Sequence, residues 1–342
     1  MRKYLIPEGG KFYKANLHTH TTVSDGKLTP AEIKEEYMKR GYSIVAYTDH
    51  NIMIPHPELQ DENFLPITGI EIDINDEARW KKYQRTYHLN MYSPDINRSV
   101  TRVFCERFVS AKEHMRPLVT DEMRAHASPD RVYTKEYAQS MVDLAIEEGC
   151  LVSYNHPVWS LQSKEDYSGM KGFFGVEWLN TGGDIAGYID TMQPLYDLWR
   201  EGERMCYPLA TDDCHSMRTL GKSFVMVKAE NLEYSTVFEA LRRGEFYSSA
   251  GPLIEELYIE DKKLYVKVDK ATKVVLTTDH RFVSTVGNGI DPLTEAVIPL
   301  DIYFEDNQNR LPEDVAWIRL DVIDENGKYA RTRAYFIDEI TE

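Results

Sequence analysis

The chain reads as an α/β protein followed by an antiparallel β region, and three observations carry that reading. Short apolar runs alternate with amphipathic stretches from the start to about residue 225. Several of these runs are apolar on both faces, as expected of parallel strands covered by helices. After Gly251-Pro252 the texture changes to alternating runs separated by turn residues, the mark of antiparallel β and most simply of a small sandwich.

The N-terminal runs are Ala15–His20, Ser43–Thr48, Ile67–Asp73, Thr86–Tyr92, Leu151–His156, Phe173–Leu179 and Tyr207–Thr211. About seven β-α units favour a barrel over an open sheet. The helix after the first run is well signposted. Thr29 suits the N-cap, Pro30 the first helical position, and Glu32 completes a capping box. Ile33 and Tyr37 share its inner face, and Gly41 ends it. A long polar insertion, residues 93–150, separates the fourth and fifth runs and has few apolar anchors in its middle. Such segments are lids or surface excursions. The C-terminal runs are Leu257–Ile259, Leu264–Val268, Lys273–Thr278, Ala296–Phe304, Val315–Ile323 and Tyr329–Ile337, with turns at Asp261-Lys262, Asp306-Asn307 and Glu325-Asn326-Gly327. A chain of 342 residues accommodates two domains. The expected division is a barrel over residues 1–250 and a β-sandwich over 251–342.

The net charge of -16 argues against a groove for a nucleic-acid polymer. A small phosphorylated substrate is compatible with it, because bound metal ions supply local positive charge. The start of the chain reaches Glu8 and two glycines too soon for a signal peptide, and no apolar run approaches membrane-span length. The expectation is a cytoplasmic protein with no membrane contact. Four cysteines lack C-x-x-C spacing, so neither a zinc knuckle nor a redox pair is expected.

The chemistry lies in short packets at the ends of the runs: H-T-H-x4-D-G, T-D-H-N, G-I-E, Y-H-L, N-H-P and D-C-H. They hold His18, His20, Asp25, His50, Glu71, His88, His156, Asp213 and His215, including six of the ten histidines. Residues i and i+2 of a strand point the same way, so His18 and His20 present two imidazoles to one side. Strand C-terminal ends are where α/β barrels place their sites. Mixed imidazole and carboxylate donors suit zinc, manganese or iron, and a carboxylate such as Glu71 can bridge two ions. Each packet alone is more often ordinary than ligating; their number and order make the case. Asp49 reads as a partner that orients an imidazole, and Asp213 rather than Asp212 as the ligand. Cys214 reads as a buried filler. His56, between prolines, and His280 read as surface residues.

The motifs N-L-H-T-H-T-T-V-S-D-G, Y-T-D-H-N, G-I-E, N-H-P and D-C-H, in that order over residues 13–225, resemble those of the PHP (polymerase and histidinol phosphatase) superfamily. The resemblance implies a distorted (β/α)7 barrel with two or three divalent ions (Zn, Mn or Fe) and phosphoester hydrolysis. It implies one ion on His18, His20, Glu71 and Asp213, a second on Glu71, His88 and His156, and a third on Asp25, His50 and His215. Asp25 stands where some branches have histidine. Glu71, His156, Asp213 and His215 are the expected catalytic residues. The stretch E-A-L-R-R-G-E-F-Y-S-S-A-G-P resembles PHP metallohydrolases of the carbaryl-hydrolase type; its plain reading is a helix with Phe246 and Tyr247 packed on the barrel.

Candidate substrate contacts are Arg218 and Lys222 after the last packet, Asn155 and Trp159 beside His156, and Arg116 and Arg124 in the insertion. Glu177 and Asn180 end a run where a site residue can sit. The expected function is a metal-dependent phosphoesterase acting on a small phosphorylated metabolite or nucleotide through a hydroxide bridging the metals. Carbamate, ester or amide hydrolysis on the same metals is the nearest alternative. A non-catalytic binding module is the alternative of another class.

Overall fold

The computed structural model describes residues 2–80, 83–281, 283–300 and 315–341. A two-residue strand, β1 (Lys3–Tyr4), comes first, and each N-terminal apolar run then becomes a strand: β2 (Lys11–Asn16), β3 (Ile44–Tyr47), β4 (Leu65–Asn75), β5 (Thr86–Tyr92), β6 (Leu151–Tyr154), β7 (Gly175–Asn180) and β8 (Tyr207–Thr211). Strands β2 to β8 are neighbours in sequence order within one sheet. β2, β3 and β4 run parallel, as do β6, β7 and β8. β5 departs from the expected parallel pattern and is antiparallel to both β4 and β6. Residues 76–85, which join β4 to β5, are too few for a parallel crossover, which takes about a dozen or more. Beyond the strand ends, Thr19 pairs in parallel with Cys214. The His20 N–H donates to the Cys214 carbonyl at 2.9 Å and the Cys214 N–H to the His18 carbonyl at 3.2 Å. The chain leaving β2 therefore meets the chain leaving β8.

Helix α1 (Pro30–Met38) forms as its sequence dictates. The Thr29 hydroxyl accepts from the Glu32 N–H, Glu32 answers to the Thr29 N–H, and Ile33 and Tyr37 are buried. Gly41 closes the turn at a φ of 76°. The insertion has more structure than its composition suggests. It contains α2 (Glu106–Ser110) and α3 (Asp121–Ala125), and α4 (Lys135–Glu147) then covers the sheet. Phe104, Val109, Met115 and Met123 make a small core with Ile52. Short helices α5 (Lys164–Tyr167) and α6 (Thr181–Ile185) flank β7. Val142 and Ala145 of α4, with Leu195 and Leu198 of α7 (Gln193–Arg200), pack against Ile72, Leu89 and Val176.

After β8 the chain forms β9 (Phe224–Ala229), α8 (Tyr234–Arg242) and β10 (Phe246–Ser249). β9 lies antiparallel to β2 and β10 antiparallel to β9. Phe246 and Tyr247 thus lie on a strand, not on a helix as expected. Gly244, at a φ of 67°, ends α8, and the next residues alternate between two cores. Phe246 faces the one containing Leu209 and Val225, Tyr247 the one containing Ile254 and Leu257.

The C-terminal strands are β11 (Ile254–Glu260), β12 (Lys263–Ala271), β13 (Lys273–Thr278), β14 (Val283–Val286), β15 (Leu293–Pro299), β16 (Trp317–Ile323), β17 (Tyr329–Arg331) and β18 (Tyr335–Phe336), with α9 (Ile337–Thr341) at the end. They fall into two sheets. One has the order β1-β11-β12-β15, and the other runs β14-β13-β16-β17 and continues through β10 and β9 into the N-terminal strands. Leu257, Val266 and Ile298 of the first share a core with Leu276, Leu320 and Val322 of the second. Lys3 and Tyr4 pair with Ile259 and Tyr258, which ties the start of the chain to this region. The run expected over Ala296–Phe304 is strand as far as Pro299; its residues 301–304 and the turn at Asp306-Asn307 lie outside the described residues. Among the described residues, no helix is long and apolar enough to cross a membrane.

Candidate metal centre

The nine packet residues come from six separate segments and meet at one place. His18 and His20 lie beyond β2, and their Nε2 atoms are 3.1 Å apart. His50 follows β3, Glu71 sits within β4, and an isolated parallel bridge joins the two residues. His88 lies on β5, His156 follows β6, and Asp213 and His215 follow β8. The turn carrying Asp25 needs Gly26, because a Cβ there would strike the His20 carbonyl and stand 2.7 Å from the Thr21 nitrogen. Two of the nine, His156 (φ 26°) and Asp213 (φ 47°), hold left-handed backbone at non-glycine residues, as does Asn51 (φ 63°) beside His50. Strain of this kind persists where the surroundings over-determine it, and it collects at functional sites.

Glu71 is the hub. Its Oε1 is 3.2 Å from His18 Nε2, 3.1 Å from His88 Nδ1 and 3.4 Å from His156 Nε2. Its Oε2 is 3.3 Å from His20 Nε2 and 3.2 Å from His50 Nδ1. Asp213 Oδ1 adds distances of 3.4 Å to His18 and 3.2 Å to His20. Farther out, Asp25 lies 3.4 Å from His215 Nε2, 3.8 Å from His50 Nε2 and 3.9 Å from His20 Nδ1. His20 therefore faces two groups, where the motif comparison placed it in one. The inner group is sealed, with His18 and His20 fully buried and Glu71 1% exposed. The outer group is open, with Asp25 and His215 side chains 44% and 39% exposed.

These residues fit divalent ions. Bonds of about 2.0–2.2 Å to one ion put neighbouring donors roughly 3–3.5 Å apart, the spacing of the inner group. His20 Nδ1, His50 Nδ1, Glu71 Oε2 and Asp213 Oδ1 are buried without a hydrogen-bond partner, a cost that a coordinated cation removes. The charges agree. Burial works against ionisation of Glu71, but the imidazoles of His18, His88 and His50 outweigh it and hold the carboxyl well below its usual range. Burial likewise opposes charge on His156, yet Glu71, Asp213 and Glu177 raise it to about 9. The carboxylates raise His18 and His20 as well, whereas burial and then the charge of His20 push His50 down to about 3, so the pull toward positive charge is centred on His18, His20 and His156.

Surrounding groups fix the donors. The Glu177 carboxylate is 2.7 Å from His18 Nδ1 and accepts from the His156 N–H, Thr211 and Asn180 at 3.0, 2.6 and 2.8 Å. A His18 Nδ1–H donated to Glu177 leaves Nε2 free as a donor to metal. The sequence marked Glu177 only as a possible contact; its signal was a lone acid inside the apolar run G-V-E-W-L. Asn155 donates to Glu71 at 2.9 Å. Asp49 does not orient an imidazole. It accepts from the Thr21 N–H at 2.7 Å and the Ser24 hydroxyl at 2.7 Å, and so shapes the Asp25 turn. Asp212 turns away from the cluster to the N–H groups of Lys222 and Ser223, at 3.0 and 2.8 Å. Cys214 is buried, and burial raises its thiol to about 12. His56 is buried against the Tyr47 ring rather than on the surface.

Trp159 is 43% exposed, its ring 5.3 Å from His88 and 5.1 Å from His156. Arg218 and Lys222 are exposed on the segment after His215. Arg124 is paired with Glu106 and Asp121 at 3.0 and 2.8 Å, and Arg116 donates to the Ser110 carbonyl at 2.6 Å.

Residues 16–170 match the PHP domain family. A 5′-3′ exoribonuclease of Haemophilus influenzae is 34% identical over 70 residues, which are 19% of this chain and 26% of that protein. A two-domain protein of Bacteroides vulgatus containing a predicted PHP-like metal-dependent phosphoesterase is 13% identical, covers 97% of this chain and 98% of its own, and superposes with a TM-score of 0.45. A lesion-specific endonuclease of Pyrococcus furiosus is 16% identical over 68% of this chain and 55% of its own, with a TM-score of 0.36. The two structural likenesses are too weak to carry an argument about activity. The match over residues 16–170 takes in the packets from H-T-H to N-H-P, and it is this part of the chain that is similar to the PHP domain family.

Proposed function

We propose that the protein is a phosphoesterase acting on a small phosphorylated metabolite or nucleotide at a centre of two or three divalent ions. One observation carries the reading: a single buried carboxylate, Glu71, lies 3.1–3.4 Å from five imidazoles. His18, His20, Glu71 and Asp213 hold one ion; Glu71, His88 and His156 a second; and Asp25, His50 and His215 an outer one. Divalent ions there supply an activated nucleophile and positive charge against the phosphoryl oxygens. The chain's own residues do the rest. Glu177 and Asn155 hold His18 and Glu71 in place. The open side at Asp25 and His215 admits substrate, with Trp159 as a wall for a flat group and Arg218 and Lys222 as phosphate contacts. Glu71, His156, Asp213 and His215 are the residues nearest the reacting atoms. In this reading β2 to β8 form a distorted barrel, residues 251–342 a sandwich that buttresses it, and the protein works in the cytoplasm.

The likeness to an exoribonuclease over 70 residues supports a second reading, in which the phosphoester is the terminal link of an RNA chain. Metal analysis of the purified protein, with turnover of phosphomonoesters, phosphodiesters, short RNA and aryl carbamates, separates these. Zinc, manganese or iron should copurify, and Glu71→Gln should lose both metal and turnover. A metal-free active protein, or carbamate turnover exceeding phosphoester turnover, sinks the proposal.

A further inference from the structure

Residues 93–134 do more than cover the surface. Their core, with Phe104, Val109 and Met115, closes over Ile52, and Val23 packs against it. Ile52 lies two residues after His50, and Val23 two before Asp25. Two polar anchors reach the same two ligand loops. The His114 Nε2–H donates to the Ser24 carbonyl at 2.7 Å, next to Asp25. Arg131, 5% exposed, donates from Nη1 to the Asn51 side-chain oxygen and, at 2.7 Å, to the Asp73 carbonyl. Its Nη2 donates to the Val103 carbonyl at 3.2 Å, within the insertion. Asn51 also donates from Nδ2 to the Asp73 carboxylate, and its N–H donates to the Glu71 carbonyl at 2.7 Å. It does this in left-handed backbone, which asparagine tolerates but does not prefer. The turn that aims His50 therefore depends on these bonds.

The inner ligands are held differently. Glu177 holds His18, Asn155 holds Glu71, and Asn180 reaches Asp213 at 3.3 Å. None of these supports lies in the insertion. The Arg131 charge matters as well as its hydrogen bonds. Asp73 Oδ1 is 3.9 Å from His50 Nδ1. Deprived of the guanidinium, Asp73 is a buried carboxylate lacking its counter-charge, and it draws the His50 imidazole away from Asp25.

We propose that Arg131 is a positioning residue for the outer ion, the one assigned to Asp25, His50 and His215, and that through Arg131 and His114 the insertion sets the affinity of that ion alone. This rests on the ion reading above. The test titrates metal-free full-length protein with Mn(II), counting bound ions by equilibrium dialysis and following melting of the metal-free forms. In Arg131→Gln the weakest-bound ion should lose about tenfold or more in affinity, and in His114→Ala less, with the tighter ions unchanged. Arg131→Lys should recover part of the loss, since it restores charge but not the fork. If wild type binds no ion, the ion reading itself fails. If wild type binds ions and both Arg131→Gln and His114→Ala bind all of them equally well, this inference is overturned and the ion reading stands. Should Arg131→Gln lose every ion along with its metal-free melting temperature, exposed His114 decides: an unchanged weakest ion in His114→Ala overturns the inference.

Discussion

At the scale of single residues, function here depends on which carboxylates face the cluster and which support it. Asp212 and Asp213 are adjacent, yet only Asp213 reaches His18 and His20, while Asp212 ties down the turn at residues 221–223. Glu177 supports His18, so Glu177→Gln should keep the fold and lower metal affinity or kcat about 10–100-fold; unchanged kinetics and metal content would remove it from the site. Asp190 is a different case. Burial pushes its carboxyl up to about 7, against the opposing pull of the Val158 N–H and His156. The group is harder to ionise folded than unfolded, so it costs stability as pH rises from about 4 to about 7. Asp190→Asn keeps an acceptor for Val158 and should stabilise the protein at pH 8 by on the order of 2–4 kcal/mol. The gain should vanish near pH 3.5. Thermal melts across that range check this, and a pH-independent difference contradicts it.

At the scale of elements, local sequence and local structure agree most closely where a signal is short-range. The capping box of α1 forms as Thr29, Pro30 and Glu32 dictate. Thr29→Ala should cost about 1 kcal/mol in urea unfolding without touching metal content; a loss well beyond that would mean that α1 is coupled to the Asp25 turn. Strand existence was also legible, because runs apolar on both faces have few alternatives. Strand direction was not fully read, although the short β4–β5 connection contained the answer. Phe246 and Tyr247 read as helical because the amphipathic helix α8 ends only a few residues before them. Only the two cores on either side of β10 reveal that they alternate.

At the scale of the whole molecule, the C-terminal strands are not an appendage. β17 pairs with β10 through Ser248–Arg331 and Ser249–Ala330. The Arg331 guanidinium lies 4.1 Å over the ring of Trp178, the residue after Glu177. A chain ending at residue 250 would leave the β10 edge unpaired and that ring uncovered, an invitation to aggregation. It should be insoluble or melt well below the full chain; a soluble, monomeric, metal-binding fragment would overturn this. Ion binding should also act on the whole fold. Chelator should lower the melting temperature and added Mn(II) or Zn(II) restore it, with about 4 kcal/mol of stabilisation at a thousandfold excess over Kd.

The sequence by itself determined the α/β-then-β order, the capping box of α1 and the nine packet residues that the fold brings together. Each of these is written in neighbouring residues: a period, a cap, or a packet such as H-T-H or D-C-H at a run's end. Tertiary structure alone decided what each donor faces. Glu177 meets His18 across 159 positions and Arg131 meets Asn51 across 80, and nothing local in either segment announces the partner. A carboxylate or guanidinium acquires its role from the buried groups placed against it, and that placement is a property of the fold.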